Sequence, residues 1–252
     1  MTDSRSARVW SLVAAQSARH GGPVSAVDVC LAAVAAVEVT GAWLVAARGA
    51  EAGHLMRVTD KASELLAELQ VTLGEGPGQD AAASGGPVLA SDLDAKETVR
   101  RWPAFAPAAR RAGAAAIFAF PLQLGAIQAG VMTLYRERSG ALTAYQLGDA
   151  LIFADTATML LLDAVGRPPR TAGQAEPGPG GQPADLTRHR AEIDQATGML
   201  TEQLGVGIGE AFIRLRAYAY AHDRRLSDLA RDIVARRLRL SPDPDPRKDA
   251  PG

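Results

Sequence analysis

A single cysteine, Cys30, stands among 252 residues, which excludes an intrachain disulfide and any multi-cysteine metal site. No uninterrupted apolar run approaches the roughly 18 residues that a membrane-spanning helix needs, so no membrane contact is expected. Met1 to Trp10 is polar and charged and lacks the apolar stretch of a signal peptide, so the expected location is cytoplasmic. Lysine is nearly missing, with Lys61, Lys96 and Lys248 its only occurrences. The four histidines, at positions 20, 54, 189 and 222, are scattered without metal-ligand spacing, and no Ser/His/Asp grouping appears. The expectation is therefore no metal site, no catalytic residues and no enzyme, and no pattern names a cofactor.

Two features organise what is present. The first is a break in composition. Gly166 to Pro183 holds Pro168-Pro169, Gly173 and Pro177-Gly178-Pro179-Gly180-Gly181 and no large apolar residue, so it cannot bury enough surface to offset its ordering entropy. The expected layout is an N-terminal helix or arm over 1–24, a sensor-like unit over 25–165, a flexible linker over 166–187, a helical module over 188–240 and a disordered tail over 241–252. The second feature is charge. Residues 1–187 hold 15 Lys+Arg against 18 Asp+Glu, whereas residues 188–240 hold 10 Arg against 7 Asp+Glu. A basic module behind a mildly acidic one suits a polyanion binder with a separate control domain. A solvated helix face in an Arg-biased chain gives the same count, so charge alone does not choose.

The first part alternates helical and strand patterns. Ser25 with Asp28 opens a helix through Leu31 and Val34. Ala42–Ala47 and His54–Val58 read as one hairpin, and Ala115–Leu124 with Gln128–Tyr135 as another. Ser63–Leu69 is a short helix, Pro87–Ala90 a brief strand, and Trp102–Phe105 leads into a helix ending near Gly113. Thr143 with Gln146 caps a long helix to Val165. This is an α+β plan. Over about Ser25–Val165 the chain resembles a GAF domain, through Gly74-Glu75-Gly76-Pro77-Gly78-Gln79-Asp80-Ala81, Gly86-Pro87-Val88, Arg101-Trp102-Pro103-Ala104-Phe105, Phe120-Pro121-Leu122, Gly130-Val131-Met132 and Leu142-Thr143. The resemblance implies an antiparallel sheet with flanking helices that serves as a small-molecule, redox or light sensor or as a dimerisation unit. Many relatives carry cysteine where this chain has Gly78. The Gly74–Gly78 loop reads as a structural turn before an anion cradle, Cys30 as a buried inert thiol before a sensor, and His54 as packing before a haem ligand. Trp43, Trp102, Phe118, Phe120 and Tyr135 read as core before pocket lining. Ile152, Phe153, Met159 and Leu160 widen the apolar stripe of the long helix, either over the sheet or towards a second copy.

The last part reads as three short amphipathic helices. Ile193, Ala196, Leu200 and Leu204 form one stripe, Phe212, Leu215 and Ala219 a second, and Leu229, Ala230, Ile233 and Val234 a third, with Ser227 as the cap of the last helix. Gly198 inside the first helix costs nearly 1 kcal/mol relative to alanine, which implies close approach of another backbone or of a ligand. Over about Leu186–Leu240 the spacing of Ile193, Ala196, Gly198, Leu200, Ala211, Leu215, Arg216, Ala219, Leu226 and Ala230 resembles the ANTAR family. That resemblance implies a dimer that binds tandem stem-loops in leader RNA and frees transcription from termination. Gly207 and Gly209 stand where a better cap is common, so a frayed start to the second helix is expected. The residues it assigns to RNA are Ala196, Gly198 and Arg216, with Arg190, Arg224 and Arg225 adding phosphate contacts. Guanidinium suits this role because it pairs bidentately with phosphate and stacks on exposed bases. Two rivals remain open: a DNA-binding transcription factor built on three helices, and a ligand or haem sensor that acts through protein contacts.

Overall fold

The computed structural model describes the backbone of residues 2–48, 51–166 and 183–240, and the side chains of these except 2–3, 47–48, 51–56, 164–166 and 183–190. The expected tail, and the expected linker between 167 and 182, lie outside the described residues. The chain divides into two compact units, Met1–Leu186 and Thr187–Gly252. Among the described residues no helix is long and apolar enough to cross a membrane.

The first unit is α+β, as the pattern implies. Its strands are β1 (Gly41–Arg48), β2 (Glu51–Val58), β3 (Val88–Ala90), β4 (Ala116–Leu124) and β5 (Ile127–Arg136). They form one antiparallel sheet in the order β2-β1-β5-β4-β3. The helices are α1 (Thr2–His20), α2 (Ala26–Val37), α3 (Lys61–Leu73), α4 (Pro77–Ser84), α5 (Lys96–Arg101), α6 (Phe105–Arg111) and α7 (Ala144–Gly166). The sheet is covered on both faces, so its central strands are apolar throughout and the period-two alternation sorts side chains between two cores. Phe118, Phe120, Leu122, Met132 and Leu134 pack with Val29, Cys30, Phe153 and Ala157. Ile117, Ala119, Val131 and Tyr135 pack on the opposite side with Trp43, Leu66, Trp102 and Phe105. All five aromatics read as core are buried, split between these two layers.

Local chemistry sets the ends of the elements. Asp28, fully buried, accepts the backbone N–H and the hydroxyl of Ser25 at 2.8 Å each, and pairs with His20 Nε2 at 2.8 Å. The Gln146 N–H donates to Thr143 Oγ1 at 3.2 Å while Gln146 Oε1 accepts the Thr143 N–H at 3.0 Å, the reciprocal cap the sequence implies. The second hairpin turns at Gly125, whose φ of 58° is left-handed. Gly130 is required for close approach: a Cβ there would lie 2.0 Å from the Val45 carbonyl oxygen, and its φ is 154°. Helix α1 docks by Val9 and Val13, and by Arg5 and Arg8 against the buried carboxylate of Asp149 on α7.

Of the two readings left open for the wide stripe of α7, the sheet-covering one holds for Ile152, Phe153 and Leu160, which pack on the core, whereas Leu151 and Met159 are exposed, with Met159 at 57 %. Two helices, α4 and α5, stand where the pattern assigns no element, α4 beginning at the end of the Gly74–Gly78 turn. Each is short and takes its stability from tertiary anchors, so periodicity had too few turns to show it.

Candidate nucleic-acid interface

In the first unit the loop expected as a structural turn is occupied by the fold itself. Gln70 Oε1 accepts the Gly78 N–H at 2.6 Å. The Glu75 carboxylate accepts the backbone N–H groups of Ala104 and Phe105 at 2.7 and 2.6 Å, at the start of α6. The Asp80 carboxylate binds Arg101 and the Trp102 indole, locking α4 to α5. Burial pushes the Cys30 thiol up to about 12, so at neutral pH it holds its proton and is a poor nucleophile. The side chain of His54 lies outside the described residues.

The second unit holds α8 (Pro183–Leu204) from Thr187 onward, α9 (Ile208–Ala221) and α10 (Leu226–Val234). Helix α8 begins inside the span expected as a linker. The core is Ala196, Leu200, Ala211, Leu215, Ala219, Leu226, Leu229, Ala230, Ile233 and Leu240, all buried. Helix α9 starts at Ile208 with Gly207 as a cap that offers no side chain. Ser227 is not the cap of α10: Arg225 holds that position with extended backbone, and Ser227 is buried within the first turn. Helices α9 and α10 each end through a left-handed non-glycine residue, Asp223 with φ 47° and Arg236 with φ 57°. Beyond each, a backbone N–H closes the last turn, Arg224 to Ala219 O at 2.9 Å and Arg237 to Asp232 O at 2.8 Å.

The six residues assigned to RNA fall into different settings. Arg190 lies on α8, and its side chain is outside the described residues. Ala196 is fully buried among the three helices, so it packs the core and is withdrawn from the surface set. Gly198 is exposed, and a Cβ there would meet no atom within 4 Å. The close approach inferred from its helix cost is therefore not supplied by the described residues, and its helical neighbours four residues away, Asp194 and Glu202, are both exposed acids. The Arg216 guanidinium sits 5.8 Å from the Phe212 ring centroid, and partial burial lowers its pKa. Arg225 is exposed at the start of α10. Arg224 donates to Asp232 Oδ2 at 2.5 Å.

Acids organise the remaining arginines. Arg214 pairs with Glu210 at 2.8 Å, and Arg231 with Asp228 at 3.0 Å and, more loosely, with Glu192 at 3.4 Å. Asp232 takes a second guanidinium, Arg237, at 2.7 Å. These two arginines hold the Asp232 carboxyl below the ordinary carboxylate range. The sequence reading missed Asp232 altogether. The signal available was a pair of arginines, Arg224 and Arg237, each one residue past a helix-ending position.

Residues 186–234 match the ANTAR domain family. No curated protein matches the chain in sequence. Solved structures similar to it include the GAF domain from Acinetobacter phosphoenolpyruvate-protein phosphotransferase, at 10 % identity over 66 % of this chain and 95 % of that one, TM-score 0.47. A second is the GAF domain from a phosphoenolpyruvate-protein phosphotransferase of Coxiella burnetii, at 12 % identity over 64 % and 96 %, TM-score 0.48. A third is the GAF-B domain of DevS from Mycobacterium smegmatis, at 19 % identity over 54 % and 90 %, TM-score 0.41. An antiparallel sheet unit followed by a helical unit that matches the ANTAR domain family is the order of parts the sequence implied.

Proposed function

We propose that the protein is a transcriptional regulator whose second unit binds paired stem-loops in nascent RNA and thereby controls termination. The observation that carries this reading is the ANTAR match over 186–234, on three helices whose core is apolar and whose rim is arginine. Arg216, Arg224 and Arg225 are its contacts to RNA, with Arg190 on the helix before them. A guanidinium braced on Phe212 is held for stacking or for phosphate, and burial strengthens either contact by removing competing water. Ala196 acts through packing.

The first unit supplies control in place of catalysis. It acts as a sensor or dimerisation unit, with the protein working as a homodimer in the cytoplasm and a small molecule as the signal. The outward stripe of α7 that includes Leu151 and Met159 offers a surface for the second copy. Bringing two RNA-binding units together raises their effective concentration on tandem hairpins, so coupling needs no rigid connection.

Selection from a pool of tandem stem-loop RNAs with randomised loops, with duplex DNA as competitor, tests the reading. Enrichment of RNA that duplex DNA does not displace, weakened about tenfold or more by Arg216→Ala, is the expected result. Preferential retention of duplex DNA would replace it with the DNA-binding alternative.

A further inference from the structure

The matched family span ends at residue 234, yet the folded structure of the second unit continues to Leu240. Leu240 is buried at 7 % exposure, and its carbonyl accepts a hydrogen bond from Gln203 Nε2 on α8. The other end of this short segment is tied at Asp232, whose carbonyl accepts the Arg237 and Leu238 N–H groups at 2.8 and 3.3 Å. Between these anchors lie Arg236, Arg237 and Arg239, all exposed. Arg236 occupies a left-handed position where glycine is the unstrained choice, so the fold bears a side chain there at a conformational cost.

Asp232 makes this segment part of a larger cluster. Its two carboxylate oxygens hold Arg224, from the end of α9, and Arg237, from the end of α10, at 2.5 and 2.7 Å. Two guanidiniums are thus fixed side by side by one acid, and each keeps donors to spare among its five N–H groups. With Arg225, Arg236 and Arg239 the cluster has five arginines against Asp223 and Asp232, a net charge of +3. Fixing the pair in advance removes part of the side-chain ordering cost of gripping an anion.

We propose that Arg236, Arg237 and Arg239, tied through Asp232 to Arg224 of the site above, form a second phosphate-gripping edge that extends the hold on the RNA backbone past the family's own span. This rests on the RNA reading above and extends it. The edge contributes affinity without sequence choice, because phosphate contacts position the nucleic acid and carry no base information.

The test uses the full chain and the tandem stem-loop RNA enriched in the selection. Binding is measured across a salt series for the wild type, for Arg236→Gln with Arg239→Gln, and for the corresponding double lysine variant. Neither position bridges Asp232, so the helix ends stay tied, and thermal melting of each variant checks folding. Two lost phosphate contacts flatten the slope of log affinity against log salt by about 1.4–1.8. The double Gln variant is expected to show that flattening with unchanged preference for tandem over scrambled RNA, and the lysine variant to recover most of the slope. An unchanged slope in a folded double Gln variant, beside a wild type that binds selectively, overturns this inference alone. A wild type that enriches no RNA overturns it together with the RNA reading.

Discussion

At the residue scale, the side chains that looked most reactive in the sequence are spent on structure. Cys30 is buried at 1 % exposure, and burial lifts its thiol from about 9 to about 12. Because the folded state keeps this proton more tightly than the unfolded chain, the associated stability is fully present below pH 9 and is lost as pH rises towards 12. At pH 8, a thiol reagent is expected to label the native protein at least a hundredfold more slowly than the protein in denaturant; equal rates would contradict the buried position. Glu75 makes the same point for the glycine-rich loop. Its carboxylate satisfies two orphan N–H groups at the start of α6, so Glu75→Ala should cost about 1–2 kcal/mol in a denaturant titration. A variant of unchanged stability would mean that the loop is free for another role.

At the element scale, the sequence was legible where side chains alternate over many residues and obscure where tertiary anchors decide. The two hairpins, the Ser25–Asp28 and Thr143–Gln146 caps and the long α7 follow directly from patterning. Helices α4 and α5 do not, since they are fixed by side-chain contacts to other elements, Gln70 to the Gly78 N–H and Asp80 to Arg101. The candidate site was legible as an arginine-rich rim, but not in its wiring, because the Arg224–Asp232–Arg237 arrangement depends on how α9 and α10 end. Two glycines separate packing from function. Gly130→Ala would drive a Cβ into the Val45 carbonyl and should destabilise the first unit by about 3 kcal/mol, read as a lowered denaturation midpoint. Gly198 has open space around it, so Gly198→Ala should stabilise the second unit by up to about 1 kcal/mol. If RNA affinity falls in that stabilised variant, a partner approaches Gly198; if it is unchanged, the glycine plays no part in binding.

At the scale of the whole molecule, the proposed pairing of a control unit with an RNA-binding unit would account for the uneven charge, the proline- and glycine-rich stretch in the sequence and the ANTAR match. In the second unit Arg214, Arg224, Arg231 and Arg237 are held in ordered pairs with acids, an arrangement suited to a unit whose surface is set for binding. The central claim is control of termination by RNA binding, and single-round transcription in vitro addresses it most directly. The template would carry the selected tandem stem-loop ahead of an intrinsic terminator, with full-length protein added in increasing amounts. The account predicts a protein-dependent change in read-through that disappears when either stem-loop is scrambled and is weakened by Arg216→Ala. Read-through that stays constant while the same RNA is bound would contradict it.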